Sequence, residues 1–253
     1  MKPETKSMSK RVAVVTGGIG GLGTEICKAL AQAGRTVIAV DLDSREERVA
    51  SFRQEVEGHD IHFAAADVAD YQNCGALVRD IESRHGSLDI LVNNAGITRD
   101  STLRKMDRAQ WEAVLDVNLG SAFNLCGHAV EGMQSRGFGR VVNISSVSGQ
   151  TGNFGQTNYA AAKAGLHGFT MSLAREVATK GITVNSISPG YIETAMTGAM
   201  PTEVLTKITT AIPAGRMGKP GDIARTVAFL TDDAAGYITG ANVPVNGGLF
   251  MSF

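Results

Sequence analysis

Tyr159 and Lys163 stand four residues apart in the clearest helical pattern of the chain, so both side chains project from one helix face. A free phenol ionises near pH ~10, too high for ready proton exchange at neutrality. A nearby ammonium favours the phenolate, and such a pair can serve as general acid toward a ketone or general base toward an alcohol. Ser145 and Ser146 end a strand-like run upstream, where a hydroxyl can donate to a carbonyl oxygen as negative charge develops. Spacing alone also fits a packed aromatic and a solvated charge. What favours the chemistry is a second cluster elsewhere in the chain.

Thr16-Gly17-Gly18-Ile19-Gly20-Gly21-Leu22-Gly23 follows a strand-length apolar run and opens a helix. Glycines there let the backbone turn sharply and approach a pyrophosphate, whose charge the helix N-terminus stabilises. Asp41 closes the next strand, where a ribose-binding acid is expected. Its carboxylate accepts from a ribose and repels an added 2′-phosphate, so NAD(H) is favoured; NADP(H) stays open because Arg45 can reach such a phosphate. Asp67-Val68 after the third strand can meet an adenine amino group. Asn93-Asn94-Ala95-Gly96 after the fourth lets the chain pass close to a ribose. Both segments are also ordinary turn chemistry.

Positioning these groups requires alternating elements. Strands are expected at Arg11–Thr16, Thr36–Val40, Ile61–Ala66, Leu88–Val92, Arg140–Ser145, Ile182–Ser188 and Asn242–Val245. Helices are expected from Leu22 to Gln32, around Arg45 to Val56, and from Tyr159 to Thr179. Uniformly apolar strands are buried on both faces, which implies an α/β, Rossmann-type doubly wound parallel sheet with helices on both sides. Its ligand crevice lies at the strands' carboxyl ends. The stretch 191–219 breaks the rhythm and reads as a substrate lid on a single domain spanning 11–253.

At 253 residues, with 43% hydrophobic and 19% charged residues, the chain suits one such domain. A net charge of -1 argues against a nucleic-acid partner. Cys27, Cys74 and Cys126 are too scattered for disulfides or a metal site and read as small buried hydrophobes. No apolar run reaches membrane-spanning length, and residues 1–10 read as a polar tail without a signal peptide's core. A cytoplasmic protein is expected.

In order, these motifs resemble the short-chain dehydrogenase/reductase family over nearly the whole chain. The resemblance rests on Thr16-Gly17-x-x-x-Gly21-x-Gly23, Asn93-Asn94-Ala95-Gly96, Asn118, Ser146, Tyr159-x-x-x-Lys163 and Pro189-Gly190. It implies a catalytic tetrad. Tyr159 would be acid and base, Ser146 would orient the substrate, and Lys163 would hold the nicotinamide ribose and lower the Tyr159 pKa. Asn118 would anchor a water that links Lys163 to solvent. Pro189, Gly190, Ile192 and Thr194 would border the nicotinamide. Within that family, Ile97-Thr98-Arg99-Asp100, Phe154-Gly155-Gln156-Thr157-Asn158 and Gly165-Leu166-His167-Gly168-Phe169-Thr170 are similar to the branch that reduces acetoacetyl-CoA in polyhydroxyalkanoate synthesis. That likeness implies an acyl-CoA pocket lined by Asp100, Asn153, Phe154, Gln156 and Tyr191, an (R)-3-hydroxybutyryl-CoA product and a homotetramer. Two departures stand out: many such reductases use NADPH whereas Asp41 suggests NADH, and Asn153 stands where glutamine is common. A β-ketoacyl-acyl-carrier-protein reductase is the rival reading, and a non-catalytic nucleotide sensor a third. Arg99, Arg104, Lys105 and Arg108 form a basic cluster that suits CoA phosphates, an acidic carrier, or simply a solvated face.

Overall fold

The computed structural model describes residues 10–42, 46–193 and 202–251. Its strands are β1 (Val12–Thr16), β2 (Thr36–Asp41), β3 (Ile61–Ala65), β4 (Ile90–Asn93), β5 (Gly139–Ile144), β6 (Ile182–Pro189) and β7 (Asn242–Val245). They form one seven-stranded sheet in the order β3-β2-β1-β4-β5-β6-β7, parallel throughout. The winding runs outward from β1 to β3, then returns to place β4 on the other side of β1. The ends of β1 and β4 therefore flank the switch point where an open α/β sheet binds its ligand.

Alternation along each strand explains the two layers. Val12 and Val14 of β1 join one core cluster, while Ala13 and Val15 join the other. The first cluster is covered by α3 (Tyr71–His85), α5 (Ser121–Arg136) and α7 (Thr157–Val177). The second is covered by α1 (Gly21–Gln32), α2 (Glu46–Glu55) and the helix Pro220–Leu230. Shorter pieces complete the chain: α4 (Arg108–Leu115) with a π-turn at Asp116–Gly120, α6 (Ser148–Thr151) and α8 (Thr202–Ala211), so that Pro220–Leu230 is α9. The expected strands all occur, within a residue or two at their ends. The largest difference is β4, which starts at Ile90 because the Asp89 carboxylate turns inward. It accepts from the Val12 amide at 3.0 Å and from Ser87 Oγ at 2.7 Å. Buried Cys27 and Cys126 have thiols pushed up to about 12 by desolvation, so both behave as apolar fillers.

The N-terminal tail expected over residues 1–10 lies outside the described residues, apart from Lys10. In the stretch 191–219, the described part includes α8 and a neck where Ile192 bridges Gly218. The Glu193 amide donates to the Gly218 carbonyl at 2.8 Å, and the Gly218 amide donates to Tyr191 at 2.9 Å. No helix among the described residues is long and apolar enough to cross a membrane.

Candidate active site

At the switch point the glycines divide into two groups. Gly17 has φ +62, a conformation that side chains disfavour. A Cβ on Gly18 would lie 2.8 Å from Ala39, and one on Gly23 would lie 2.1 Å from the Gly17 carbonyl. These glycines let the loop pack on β2 and on itself. Gly20 and Gly21 differ, since a Cβ on Gly21 would meet nothing within 4 Å. Gly20 is the N-cap of α1 without a side-chain capping bond, and the first turn holds no acid. The first amides of α1 thus face open space, with Ile19 buried behind them and Leu22 half-buried. An uncapped helix start beside a clear approach fits the pyrophosphate of a dinucleotide.

The flanking residues hold that loop. Thr16 Oγ1 accepts from the amides of Asn94 and Ala95, each at 2.9 Å. Asn94 Nδ2 donates to the carbonyls of Thr16 and Gly17 at 2.8 and 3.3 Å. Asp67 serves its own turn, accepting from the Ala69 amide at 2.9 Å, and the buried Val68 offers its carbonyl to Asn124 at 3.0 Å. Asp41 ends β2 and accepts from the Leu42 amide at 2.9 Å. Its other oxygen lies 3.7 Å from Arg48. Sequence reasoning passed over Arg48 in favour of Arg45, which lies outside the described residues along with Thr194. The available signal was the place of Arg48 in the first turns of the helix after Asp41.

On the far side of the crevice, α6 brings the end of β5 against α7. A Cβ on Gly149 would lie 2.8 Å from the Lys163 carbonyl carbon, so glycine permits this approach. Ser146 Oγ accepts from the Ser148 amide at 3.1 Å and sits near enough to the Tyr159 hydroxyl to lower its pKa. Lys163 is 3% exposed; its Nζ donates to the Ile144 carbonyl at 2.7 Å and lies 5.7 Å from the Tyr159 ring centre. Asn118 sits in the π-turn, a feature frequent at functional sites. Its side chain accepts from the Ile97 amide at 2.8 Å and donates to the Ile97 carbonyl at 2.9 Å. Gly96 keeps the space between Asn118 and Lys163 open: a Cβ there would lie 3.5 Å from Lys163 Nζ and from Asn118 Oδ1.

The electrostatics differ from the expected lowering of the phenol pKa. Burial raises the Tyr159 pKa, opposed by the Ser146 hydroxyl and assisted by the Asp100 charge. Burial also lowers Lys163, to about 8. Desolvation is therefore the first cause at both groups. The phenol is held in its protonated form, the form that donates.

The expected substrate residues form a hydrogen-bonded rim. Gln156 Nε2 donates to Asp100 at 2.9 Å, and Gln156 Oε1 accepts from Asn153 at 3.0 Å and from Ser148 at 3.2 Å. Asn153 and Tyr191 line a cavity of about 360 Å³ with Ser148 and Ile208. Phe154 projects outward, 89% exposed. Pro189 accepts from the Val147 amide at 2.8 Å, Gly190 packs on Asn246 where a Cβ would come within 2.8 Å, and Ile192 is buried in the neck.

A hydroxyl pair capable of giving a proton to an oxygen thus shares the carboxyl end of one sheet with a cradle for a dinucleotide, which defines a nucleotide-dependent oxidoreductase. The sequence model of a family described as "Enoyl-(Acyl carrier protein) reductase" matches residues 17–250. An acetoacetyl-CoA reductase of Allochromatium vinosum is 56% identical over 243 residues, 95% of this chain and 99% of that protein. One of Cupriavidus necator is 50% identical over 245 residues, covering 96% and 100%. A 3-oxoacyl-acyl-carrier-protein reductase of Vibrio cholerae is 43% identical over 245 residues, covering 97% and 99%. The chain belongs to the short-chain dehydrogenase/reductase family, whose members bind NAD(P).

Proposed function

We infer that the chain reduces the 3-keto group of acetoacetyl-CoA to (R)-3-hydroxybutyryl-CoA, with NAD(H) favoured as cofactor. The observation that carries this reading is the Ser146–Tyr159 hydroxyl pair beside the Asp100–Gln156–Asn153 rim. The names of relatives at 50–56% identity over nearly the full length support the substrate. When bound, the reduced nicotinamide supplies hydride to the keto carbon. Ser146 donates to the keto oxygen and holds it against the phenol. Tyr159 gives its proton to that oxygen as charge develops; burial, which raises its pKa, keeps the phenol protonated until then. Lys163 holds the ribose and restores the phenol's proton through a water at Asn118. The loop Gly17–Gly23 seats the pyrophosphate, Asp41 the ribose, and Pro189, Gly190, Ile192 and Thr194 the nicotinamide. Asp67, Val68, Asn94, Ala95 and Gly96 complete the cofactor's surroundings.

Asp100, Asn153, Phe154, Gln156 and Tyr191 receive the acyl thioester, and the stretch 191–219 covers it. Free, buried cysteines suit a reducing cytoplasm. Exposed Phe123 and Met171 on α5 and α7 suit coverage by further copies in a homotetramer.

A carrier-protein substrate is the second reading. It is favoured by the Vibrio cholerae relative and by the exposed Arg99, Arg104 and Lys105. Steady-state turnover of acetoacetyl-CoA, its carrier-protein counterpart and an enoyl-CoA, each with NADH and NADPH, separates the readings. Failure with acetoacetyl-CoA, or preference for the enoyl ester, overturns the assignment. Tyr159→Phe is expected to slow reduction by about 10²–10⁴-fold while NADH still binds, as judged by its fluorescence titration.

A further inference from the structure

His167 lies four residues beyond Lys163 on α7 and so shares its face, one turn further along. Its Nε2 is 2.8 Å from Ser145 Oγ and 3.2 Å from Ser188 Oγ. Both hydroxyls have their protons committed elsewhere. Ser145 Oγ donates to the Lys163 carbonyl at 2.8 Å, and Ser188 Oγ donates to Asn242 Oδ1 at 2.8 Å. A hydroxyl carries one hydrogen, so while those two bonds are made each oxygen faces the imidazole as an acceptor, which assigns the proton to Nε2. Burial lowers the His167 pKa, which keeps the ring neutral in that tautomer.

The two serines occupy telling places. Ser145 directly precedes Ser146, and Ser188 directly precedes Pro189-Gly190. Their side chains are 3% and 0% exposed residues at the carboxyl ends of neighbouring strands, where an apolar residue would otherwise be expected. One N–H therefore ties the ends of β5 and β6 to the helix that carries Tyr159 and Lys163.

We propose that His167 is a positioning residue whose Nε2–H clamps these strand ends to α7, fixing Ser146 and the Pro189–Gly190 turn relative to the phenol. The proposal rests on the reaction assigned above and adds a residue to it. Gln and Leu separate hydrogen bonding from bulk: Gln places a donor near the Nε2 position, whereas Leu fills the space without one. Both variants are assayed with NADH on whichever ketoacyl ester the unmodified chain reduces. His167→Leu is expected to lose about 10- to 100-fold in kcat with little change in substrate KM, because small misplacement of reacting groups is costly. His167→Gln is expected to recover most of that loss. A His167→Leu enzyme with unchanged kcat, or a His167→Gln enzyme equally slow, overturns the clamp.

Imidazole ¹⁵N shifts of the unmodified protein give a readout that needs no variant to fold. A protonated Nε2 with a bare Nδ1 supports the clamp, and the opposite tautomer overturns it. An unmodified chain that reduces no ketoacyl ester would instead overturn the functional reading itself. That outcome is distinct from an active chain indifferent to His167.

Discussion

Asp41 and Arg48 meet at 3.7 Å at the end of β2, and their opposition bears directly on cofactor choice. The carboxylate repels a 2′-phosphate, yet it also holds Arg48, a guanidinium beside the glycine loop that would attract that phosphate. Removing the acid releases both effects in the same direction. Asp41→Ser is expected to raise the ratio of kcat/KM with NADPH to that with NADH by about ten-fold, the equivalent of ~1.4 kcal/mol. Steady-state kinetics with both cofactors check this; an unchanged ratio would mean that neither side chain faces the ribose. Asp41 was legible because it ends an apolar strand after a glycine loop. Arg48 was not, because its approach to Asp41 depends on how α2 docks. Tyr159 and Lys163 were paired by helical spacing alone, but the direction of the phenol's shift was not legible. Burial decides it, and burial is a property of the fold around the pair.

At the level of elements, the inner strands were legible because residues buried on both faces leave uninterrupted apolar runs, whereas the outer β3 and β7 are only partly buried. The π-turn at Asp116–Gly120 and the single turn Ser148–Thr151 left no such trace, since neither is long enough to show a period. Both adjoin candidate site residues, Asn118 in the first and Ser146 just before the second. The glycine loop was legible as a motif but not as two kinds of glycine, a distinction that yields a test. Gly23→Ala drives a methyl into the Gly17 carbonyl and is expected to destabilise the protein by about 1–3 kcal/mol, measured by denaturant unfolding. Gly21→Ala meets open space, so stability is expected to hold. NADH affinity of Gly21→Ala is expected to fall about ten-fold, because the methyl occupies the anion's approach to the α1 amides. Undiminished affinity in a folded Gly21→Ala protein would place the pyrophosphate elsewhere.

Across the whole molecule, the doubly wound sheet assembles a crevice from loops far apart in sequence and buries Lys163 beneath it. That burial works against folding. The amine's pKa falls from 10.5 to about 8, corresponding to roughly 3 kcal/mol that the folded state lacks while Lys163 stays charged. The sign follows from proton counts. Between about pH 8 and 10.5 the unfolded chain keeps a proton that the folded chain has released, so stability from this group rises with pH across that window. Below about pH 8 the penalty is present in full. Lys163→Met removes the charge while keeping a long, unbranched side chain. It leaves the Ile144 carbonyl without its 2.7 Å donor, which offsets about 1–2 kcal/mol. The variant is therefore expected to be more stable than the unmodified protein at pH 7, by about 1–2 kcal/mol, though catalytically crippled. That advantage is expected to shrink above about pH 8 and to reverse as pH climbs toward 10.5, where the lost hydrogen bond alone remains, as seen in paired urea titrations across the range. A variant less stable at pH 7, or a difference that does not change with pH, would mean that Lys163 is solvated well enough to keep its ordinary pKa. The site would then not be the dry one in which a protonated phenol beside a buried amine is poised to donate.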